Sequence, residues 1–376
     1  MSRATNDART GLLWARNGRG RAARALRALL LSAGSPAAVR ALSPEEAARI
    51  AGEDRAVVAP LVEGNEGPGF QEDARRLADS GARVLFLTDP AYPALLREID
   101  DPPPVLFARG LAFPEAPAIA LVGARRASRA GLDAARILAA GLAEAGVTVV
   151  SGFARGVDAA AHRAALDAGG QTVAVFGSGV DVCYPPEQKG LLETILRAGL
   201  ALSEFPMGTQ PEPWNFPVRN RIIAGLARIV CVVEAAEKSG SLITARCATG
   251  YGRDVAAVPG SILSPGADGS NALLKDGAIL VRNADDLLRE LPEGERRRLR
   301  GTIAGKETTA IPEDLPPDAA GLLVHLDSDE ARDADALLLA TGLSAARLSA
   351  ALVHLELEGL VTVLPGALFA RSRAKS

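Results

Sequence analysis

Apolar residues in the first part of the chain recur at helical spacing. Residues 11–69 are rich in Ala, Leu and Arg, and Leu26 and Leu29 fall on one face of a helix at that spacing. Ser43 precedes a proline and two glutamates, an arrangement typical of a helix N-cap. The pattern predicts a small helical domain over residues 1–80.

The pattern then changes to short apolar runs that alternate with helical stretches. Residues 82–87 form a first run, and two proline-rich turns follow it. Five further runs of Val, Ile and Ala are continuous, as expected of strands covered on both faces: residues 118–122, 147–150, 172–176, 229–233 and 255–258. This alternation predicts an α/β domain over residues 81–290, with a Rossmann-like parallel sheet wrapped by helices.

The C-terminal part has a third pattern. Residues 291–317 mix charges, Thr and Pro without apolar periodicity, which predicts a linker. Three helical stretches and two short strand-like runs come after it: residues 319–326, 334–340, 344–358, 360–364 and 368–370. Three helices followed by a hairpin is the order of a winged helix, so we predict a winged-helix-like domain over residues 318–376.

Composition narrows the possible functions without choosing one. The net charge is only -3, so any contact with nucleic acid must come from a local basic patch. Cys183, Cys231 and Cys247 form no disulfide or zinc pattern, and they favour a cytoplasmic protein. The apolar runs are too short to span a bilayer, so we expect no membrane association. The basic first 27 residues suit a transit peptide or, as we favour, a basic first helix.

Several predicted strands end in a Gly or Ser cluster that opens a helix: residues 122–128, 151–158, 176–181 and 239–244. Glycine lets backbone amides approach a ligand, and a helix N-terminus carries partial positive charge, so such ends attract phosphate. Arg125 and Arg155 add cations to two of them. The pattern favours a phosphate-bearing ligand over purely structural turns. The sequence has no G-x-G-x-x-G after a strand and no Walker motif, which excludes dinucleotide dehydrogenases and P-loop ATPases, and we expect no cofactor.

A second informative segment covers residues 212–223. Trp214 and Phe216 lie close to Arg219 and Arg221 there, in a chain with only 4% aromatic residues. Such a pairing suits base stacking beside phosphate contacts. The alternative is a helix entry with both rings in the core and both arginines in solvent, and composition alone favours that alternative.

Candidates for catalysis are few. His162 lies four residues after Asp158, a spacing typical of a pair within one helix. Ser151 and Ser239 stand at helix starts, where Ser is an ordinary cap, and neither lies in a G-x-S-x-G motif. No cluster of His, Cys, Asp or Glu has the spacing of metal ligands. We expect no catalytic residue and no metal site.

Five ordered strings resemble the DNA-processing protein A (DprA, or Smf) family. They are VGAR at 122–125, SGFARGVD at 151–158, FGSGVDVCYPP at 176–186, FPVRNRIIAGL at 216–226 and EAAEKSGSLITA at 234–245. The resemblance is dense over about residues 88–290. The N-terminal 80 residues resemble the family's helical, SAM-like domain only by position and composition.

The resemblance implies a homodimeric protein that binds and protects single-stranded DNA and passes it to a RecA-type recombinase in natural transformation, without catalysis. Arg125 matches the family's phosphate-contacting arginine. Other positions match residues that line the family's pocket: Gly123, Ser151, Gly152, Ser239 and Gly240. Arg219, Asn220 and Arg221 match the family's R-N-R string, which implies a DNA contact and makes Phe216 a candidate for base stacking.

The chain departs from the family pattern at two places. Ala124 stands where the family usually has Ser or Thr, which removes one hydroxyl that could donate to phosphate. The predicted recognition helix, residues 344–358, contains one Arg, one His and two Glu, whereas a helix that reads the major groove presents several basic or amide side chains. We therefore expect partner docking or regulation from this domain.

The competing interpretation is an enzyme. The predicted core also resembles the lysine-decarboxylase-like nucleotide phosphoribohydrolases, whose hallmark P-G-G-x-G-T-x-x-E carries a catalytic Glu. Aligning Gly240 and Ser241 with the G-T pair places Thr244 at the Glu position. A hydroxyl cannot replace a carboxylate as acid or base near neutral pH, so we expect phosphate binding without this chemistry.

Overall fold

The structure is a computed structural model that describes residues 3–18, 20–64, 66–299, 315–326, 331–364 and 366–371. The chain divides into two compact units, Met1–Leu299 and Arg300–Ser376. Each unit has its own buried apolar residues and is described by itself.

Helices occupy the N-terminal region, as the apolar pattern predicts. They are α1 (Arg3–Asn17), α2 (Arg21–Ala33), α3 (Pro36–Arg40), α4 (Pro44–Ala51), α5 (Arg55–Glu63) and α6 (Phe70–Ser80). At the start of α4 the Ser43 hydroxyl accepts a hydrogen bond from the Glu46 amide, and the Glu46 carboxylate accepts one from the Ser43 amide at 2.9 Å. The predicted N-cap is therefore a complete capping box.

A nine-stranded mixed sheet follows, in the order β1-β2-β6-β5-β4-β3-β7-β8-β9. Its strands are β1 (Arg83–Phe86), β2 (Val105–Gly110), β3 (Ala118–Val122), β4 (Thr148–Ser151), β5 (Thr172–Val175), β6 (Leu200–Ser203), β7 (Ile229–Val232), β8 (Asp254–Ala257) and β9 (Ile279–Leu280). All neighbours from β6 to β9 in this order pair in parallel. The first two strands add an antiparallel edge. The Rossmann-like fold is thus confirmed, with an edge that the sequence did not predict.

The apolar pattern did not predict three of these strands, β2, β6 and β9, and the reasons are local. β2 comes directly after three prolines and contains a charged side chain, Arg109. That guanidinium donates to the carbonyls of Ser80 at 3.0 Å and Val180 at 3.2 Å, which satisfies the charge inside the fold. β6 is separated from the end of α10 by Gly199 alone, so its apolar residues continue the helical stretch, and β9 has only two residues, too few to show a pattern.

Helices cover both faces of the sheet. They are α7 (Ala94–Arg97), α8 (Arg129–Glu144), α9 (Val157–Asp167), α10 (Lys189–Ala198), α11 (Asn215–Leu226), α12 (Ser241–Gly250), α13 (Asp268–Lys275) and α14 (Ala284–Glu290). Side chains of β3 alternate between the faces: Ile119 and Leu121 pack with α8, α9 and α14, whereas Ala120 and Val122 pack with α11 and α12. Buried residues of the N-terminal helices belong to the same apolar cluster as Ala120 and Val122, so these helices share one core with that face of the sheet.

The order of the strands creates a crevice. The chain places β4, β5 and β6 on one side of β3, and then places β7, β8 and β9 on its other side. The chain therefore runs from β3 toward one edge of the sheet and from β7 toward the opposite edge. In an open α/β sheet, ligands bind at the carboxyl ends of two such strands.

The predicted linker is partly folded at its beginning. Residues 293–299 are helical (α15), and Leu291 and Leu299 are buried in the cluster under α8. The first unit therefore continues beyond residue 290. Residues 300–314 of the predicted linker lie outside the described residues.

The second unit contains the predicted three helices and hairpin. Its elements are α16 (Pro317–Leu323), β10 (Arg332–Asp333), α17 (Ala334–Thr341), α18 (Ala345–Leu357), β11 (Val361–Leu364) and β12 (Leu368–Arg371). The three strands form an antiparallel sheet in the order β10-β12-β11, which is a winged-helix arrangement. Among the described residues, no helix alone has the length and apolarity to cross a membrane; α17 and α18 together pass on length and composition only, with a bend of 108° between them.

Candidate functional site

A cavity of about 430 Å³ opens where β3 and β7 end. Its lining includes Gly123, Arg125, Asp158, Tyr184, Phe216, Arg219, Asn220, Ser239, Gly240 and Thr244. Seven of the eleven predicted site residues are in this lining. The other four, Ser151, Gly152, Arg155 and Arg221, lie outside it.

Arg125 is the exposed cation of the cavity. Its guanidinium carbon lies 4.6 Å from the centroid of the Phe216 ring, a cation–π contact. No carboxylate within the described ranges lies within 4.0 Å of this guanidinium, so its N–H groups remain available. The half-buried Phe216 ring also contacts Tyr184, at 5.9 Å between centroids. A cation and two aromatic rings thus occupy one wall.

Arg219 was predicted to contact DNA, but its side chain is only 3% exposed. Its Nη1 donates to the carbonyl oxygens of Gly152 and Val175, at the ends of β4 and β5. Burial lowers the pKa of Arg219 to about 10, and nearby Asp158 opposes this shift. The guanidinium therefore ties two strand ends together beneath the cavity, whereas the predicted DNA contact would need it to reach outward.

The end of β4 is closed by its own hydrogen bonds. The Ser151 hydroxyl is fully buried and donates to the Leu121 carbonyl at 2.6 Å. The Asp158 carboxylate accepts from the amides of Gly152 at 3.1 Å and Ala154 at 3.2 Å. Burial raises the pKa of Asp158, and its contacts with Arg219 and these amides act in the opposite direction. Because these groups are occupied within the protein, the Ser151 hydroxyl and the Gly152 amide are not free to donate to a phosphate.

A carboxylate covers the N-terminus of α8, another predicted phosphate position. Glu234, just after β7, accepts from the Ser128 amide at 2.9 Å and from the Ser128 hydroxyl. This hydroxyl also caps α8 by accepting from the Gly131 amide at 3.0 Å. A second anion at this helix end would meet the charge of Glu234, so a phosphate here is disfavoured.

The N-terminus of α12 is open to the cavity. Ser239 and Ser241 share a hydrogen bond between their hydroxyls at 2.7 Å, and Gly240 between them is exposed. The Asn220 amide group donates to the Gly240 carbonyl at 3.2 Å, which fixes this turn. Among the described residues, the Gly240 amide donates to no backbone acceptor. This helix end keeps the partial positive charge that the glycine and serine clusters predict at every such strand end.

The R-N-R string does not act as one surface. Successive residues of a helix point about 100° apart, so Arg219 faces the strand ends, Asn220 faces α12, and Arg221 faces away from the cavity. Arg221 forms ion pairs with Glu204 and Asp101. Arg221 therefore does not line this cavity, and its DNA contact stays a prediction.

An aromatic and a basic residue are next in sequence to lining residues: Trp214 follows Pro213, and Arg155 follows Ala154. Trp214 is 67% exposed just before α11, which contradicts the interpretation that places it in the core. Arg155 is exposed, forms an ion pair with Glu187, and lines a small adjacent recess with Tyr184. Sequence reasoning missed Tyr184 and Glu234 as parts of the site, although both lie within strings that it quoted.

The cavity lacks a nucleophile–base pair among its described lining residues. Thr244 is 1% exposed in the wall, and Asp158 is held by backbone amides. His162 is fully buried with Nδ1 2.6 Å from the Thr172 hydroxyl, and burial lowers its pKa to about 3. No group of three or more His, Cys, Asp or Glu in the described ranges could hold a metal ion.

Comparisons with known proteins agree with this architecture. The family model for DNA recombination-mediator protein A matches residues 83–292, and a model for the DprA winged helix domain matches residues 306–367. Protein Smf from Synechocystis is 37% identical over 318 residues, which are 76% of this chain and 80% of that protein.

Two solved structures are also similar. The X-ray structure of DNA processing protein A from Streptococcus pneumoniae has a TM-score of 0.67 and 36% identity, over 75% of this chain and 98% of that one. DNA processing protein A from Helicobacter pylori, whose structure is described as giving insight into a single-stranded DNA binding mode, has a TM-score of 0.50 and 29% identity, over 55% of this chain and 93% of that one. Together with the family model, these matches show that the chain belongs to the DNA recombination-mediator protein A family.

Proposed function

We propose that this chain binds single-stranded DNA in the cavity, without catalysis. One observation carries the proposal: the exposed Arg125 guanidinium has no carboxylate partner among the described residues and lies against Phe216. Proteins that bind single strands combine such cations for phosphates with aromatic rings for bases. The single-stranded DNA binding named for the Helicobacter pylori relative supports the same ligand.

The electrostatics of the cavity give the strand a path. Glu234 repels phosphate from the start of α8, whereas the open start of α12 attracts it. One phosphate therefore lies at Gly240 and Ser239, and another at Arg125. Arg155 reaches a further phosphate by exchanging its exposed partner Glu187, because water already screens such surface ion pairs.

We propose binding without turnover because the cavity offers no acid–base pair to a nucleotide. Thr244 supplies a hydroxyl where a phosphoribohydrolase needs a carboxylate, and Asp158 is committed to the backbone amides of Gly152 and Ala154. Incubation with nucleoside monophosphates should release no free base. Release of base that is lost in the Asp158→Asn variant would favour the enzyme instead.

Titrations of fluorescently labelled DNA test the ligand. We expect oligo-dT to bind more tightly than a duplex of the same length, and log K to fall with log salt by about 0.7 for each neutralised phosphate. Arg125→Ala should weaken binding to all sequences alike, and Phe216→Leu should weaken it by removing a stacking surface. Arg49→Ala on α4 removes the same charge from an exposed position away from the cavity and is the matched control. Tighter binding to duplex, or unchanged binding by Arg125→Ala, contradicts the proposal.

We further propose that the protein acts in the cytoplasm as a homodimer that protects incoming DNA and loads a RecA-type recombinase on it during natural transformation. Support comes from family membership, and the three free cysteines are compatible with a reducing compartment. Nuclease protection of oligo-dT tests the first activity. Faster onset of DNA-dependent ATP hydrolysis by the recombinase on strands covered with single-strand-binding protein tests the second. No change in either assay would contradict this part. Size-exclusion chromatography with light scattering tests the dimer.

A further inference from the structure

A basic groove lies beside the cavity, between the N-terminal halves of α8 and α9. It encloses about 330 Å³, and its lining includes Arg125, Arg126, Arg136 and Arg163, with no carboxylate among the described lining residues. Arg125 also lines the cavity, so the groove and the cavity meet at this side chain. Cations in a chain of net charge -3 are thus concentrated on one side of the proposed site.

Besides Arg125, two more of these arginines have no carboxylate partner among the described residues. Arg126 and Arg163 are exposed, and no ion pair with either occurs in the part of the chain that the structure describes. Arg136 is different, because it forms an ion pair with Asp133 at 2.5 Å. Elsewhere many exposed arginines have carboxylate partners, as Arg282 has in Asp286. Like charges without partners attract a polyanion through a local field, even when the whole protein is acidic.

The form of the groove indicates a chain of phosphates and not one bound phosphate. The helix ends that could bind one anion are occupied: Glu234 covers α8, and the Val157 amide at the start of α9 donates to the Ala124 carbonyl at 3.2 Å. Phosphates in the groove would therefore be bound by the arginine side chains along α8 and α9. From Gly156 to Arg163 the groove follows α9 for about 10 Å, at 1.5 Å per residue. Even a stacked strand with the 3.4 Å rise of duplex DNA would place at most about three nucleotides along this length.

We propose that single-stranded DNA leaving the cavity past Arg125 crosses this groove, with its phosphates on Arg126 and Arg163. The inference rests on the proposed function and adds the direction of the strand beyond the cavity. The floor of the groove consists of Gly156, Ala159 and Ala160, whose small side chains let the backbone of the strand approach. The groove lining has no aromatic residue within the described ranges, so the contact is with the backbone and is independent of sequence.

The test compares the variant Arg126→Ala/Arg163→Ala with the unmodified full chain on two lengths of oligo-dT, about 5 and about 15 nucleotides. Loss of two phosphate contacts should reduce the slope of log K against log salt by about 1.4 on the longer strand. Relative to 1 M salt, this corresponds to about 25-fold weaker binding at 0.1 M. Binding of the short strand, which fills only the cavity, should change much less.

Two controls separate the possible causes. Arg49→Ala/Arg289→Ala removes the same two charges from exposed positions on α4 and α14, and should leave both lengths unaffected. Arg126→Lys/Arg163→Lys should retain most of the salt slope, because the charges remain. Circular dichroism melting verifies that each variant is folded.

Each result has a distinct meaning. If Arg125→Ala weakens binding but Arg126→Ala/Arg163→Ala keeps the full salt slope on the long strand, the groove is not the path, while the proposed function stands. Equal losses in the groove variant and the Arg49→Ala/Arg289→Ala control also overturn the groove, since total charge then explains the effect. If the unmodified chain binds neither length of oligo-dT, the proposed function itself fails.

Discussion

Replacing Arg219 tests whether this buried cation is a structural tie or a DNA contact. In Arg219→Ala the carbonyls of Gly152 and Val175 lose their donor, and Asp158 loses its nearby positive charge. A buried acceptor left unsatisfied costs about 1–3 kcal/mol, and removal of one partner of a buried charge pair costs about 3–5 kcal/mol. Because these costs overlap, we expect the free energy of unfolding to fall by about 4 kcal/mol.

Urea denaturation followed by circular dichroism measures this loss. Arg219→Lys keeps the charge but has a single nitrogen in place of the planar fork, so it should recover only part of the lost stability. Arg49→Ala, at an exposed position, should lie within about 0.5 kcal/mol of the unmodified chain. A loss below about 1 kcal/mol for Arg219→Ala, together with strongly weakened binding of oligo-dT, would refute the structural role and restore the predicted DNA contact.

Three further predictions follow from the geometry around the cavity. Gly156 has φ +76°, and a Cβ there would lie 2.8 Å from the backbone of Arg125, so Gly156→Ala should weaken both oligo-dT binding and the stability of the protein. Gly169 has φ +71° with open space around it, so the control Gly169→Ala should reduce stability alone. Burial lowers the pKa of His162 from 6.5 to about 3, so its contribution to stability is full above pH 6.5 and declines by about 1.4 kcal/mol per pH unit below it. Between pH 7 and pH 5, the free energy of unfolding measured in urea should therefore fall by about 2 kcal/mol less in His162→Gln than in the unmodified chain. Equal losses in the two proteins contradict this prediction. Trp214 is 67% exposed and directly follows the lining residue Pro213, whereas the other tryptophan is buried. Oligo-dT should therefore quench the fluorescence of the unmodified chain and not that of Trp214→Phe, and a quench that survives the substitution would place the strand elsewhere.

The sequence predicts the features that are local. Continuous apolar runs predict the central parallel strands, because both faces of those strands are buried. Glycine and serine clusters predict where the crevice lies, because the carboxyl ends of parallel strands meet at one edge of the sheet. The capping box at Ser43 is contained in four residues and is equally visible. The antiparallel edge is not visible, since its β2 strand carries a half-buried arginine after three prolines.

The sequence does not predict which donors remain free, because that depends on partners far along the chain. Ser128 is paired with Glu234, which lies 106 residues away, and Arg219 is paired with Gly152, which lies 67 residues away. The three residues of the R-N-R string also point in different directions, because successive residues of a helix are about 100° apart, and Arg221 is directed toward Glu204. Arg125 and Phe216 are brought together by the fold alone.

Photochemical cross-linking tests the central claim most directly, because it reports which residues touch the strand. Oligo-dT carrying 5-iodouracil is bound to the full chain, irradiated, and the attached peptides are identified by mass spectrometry. We expect cross-links to Phe216, Tyr184 or Trp214, and we expect them to disappear in Arg125→Ala at the same concentration. Cross-links confined to the second unit, or to residues outside the cavity and the adjoining groove, would contradict the account.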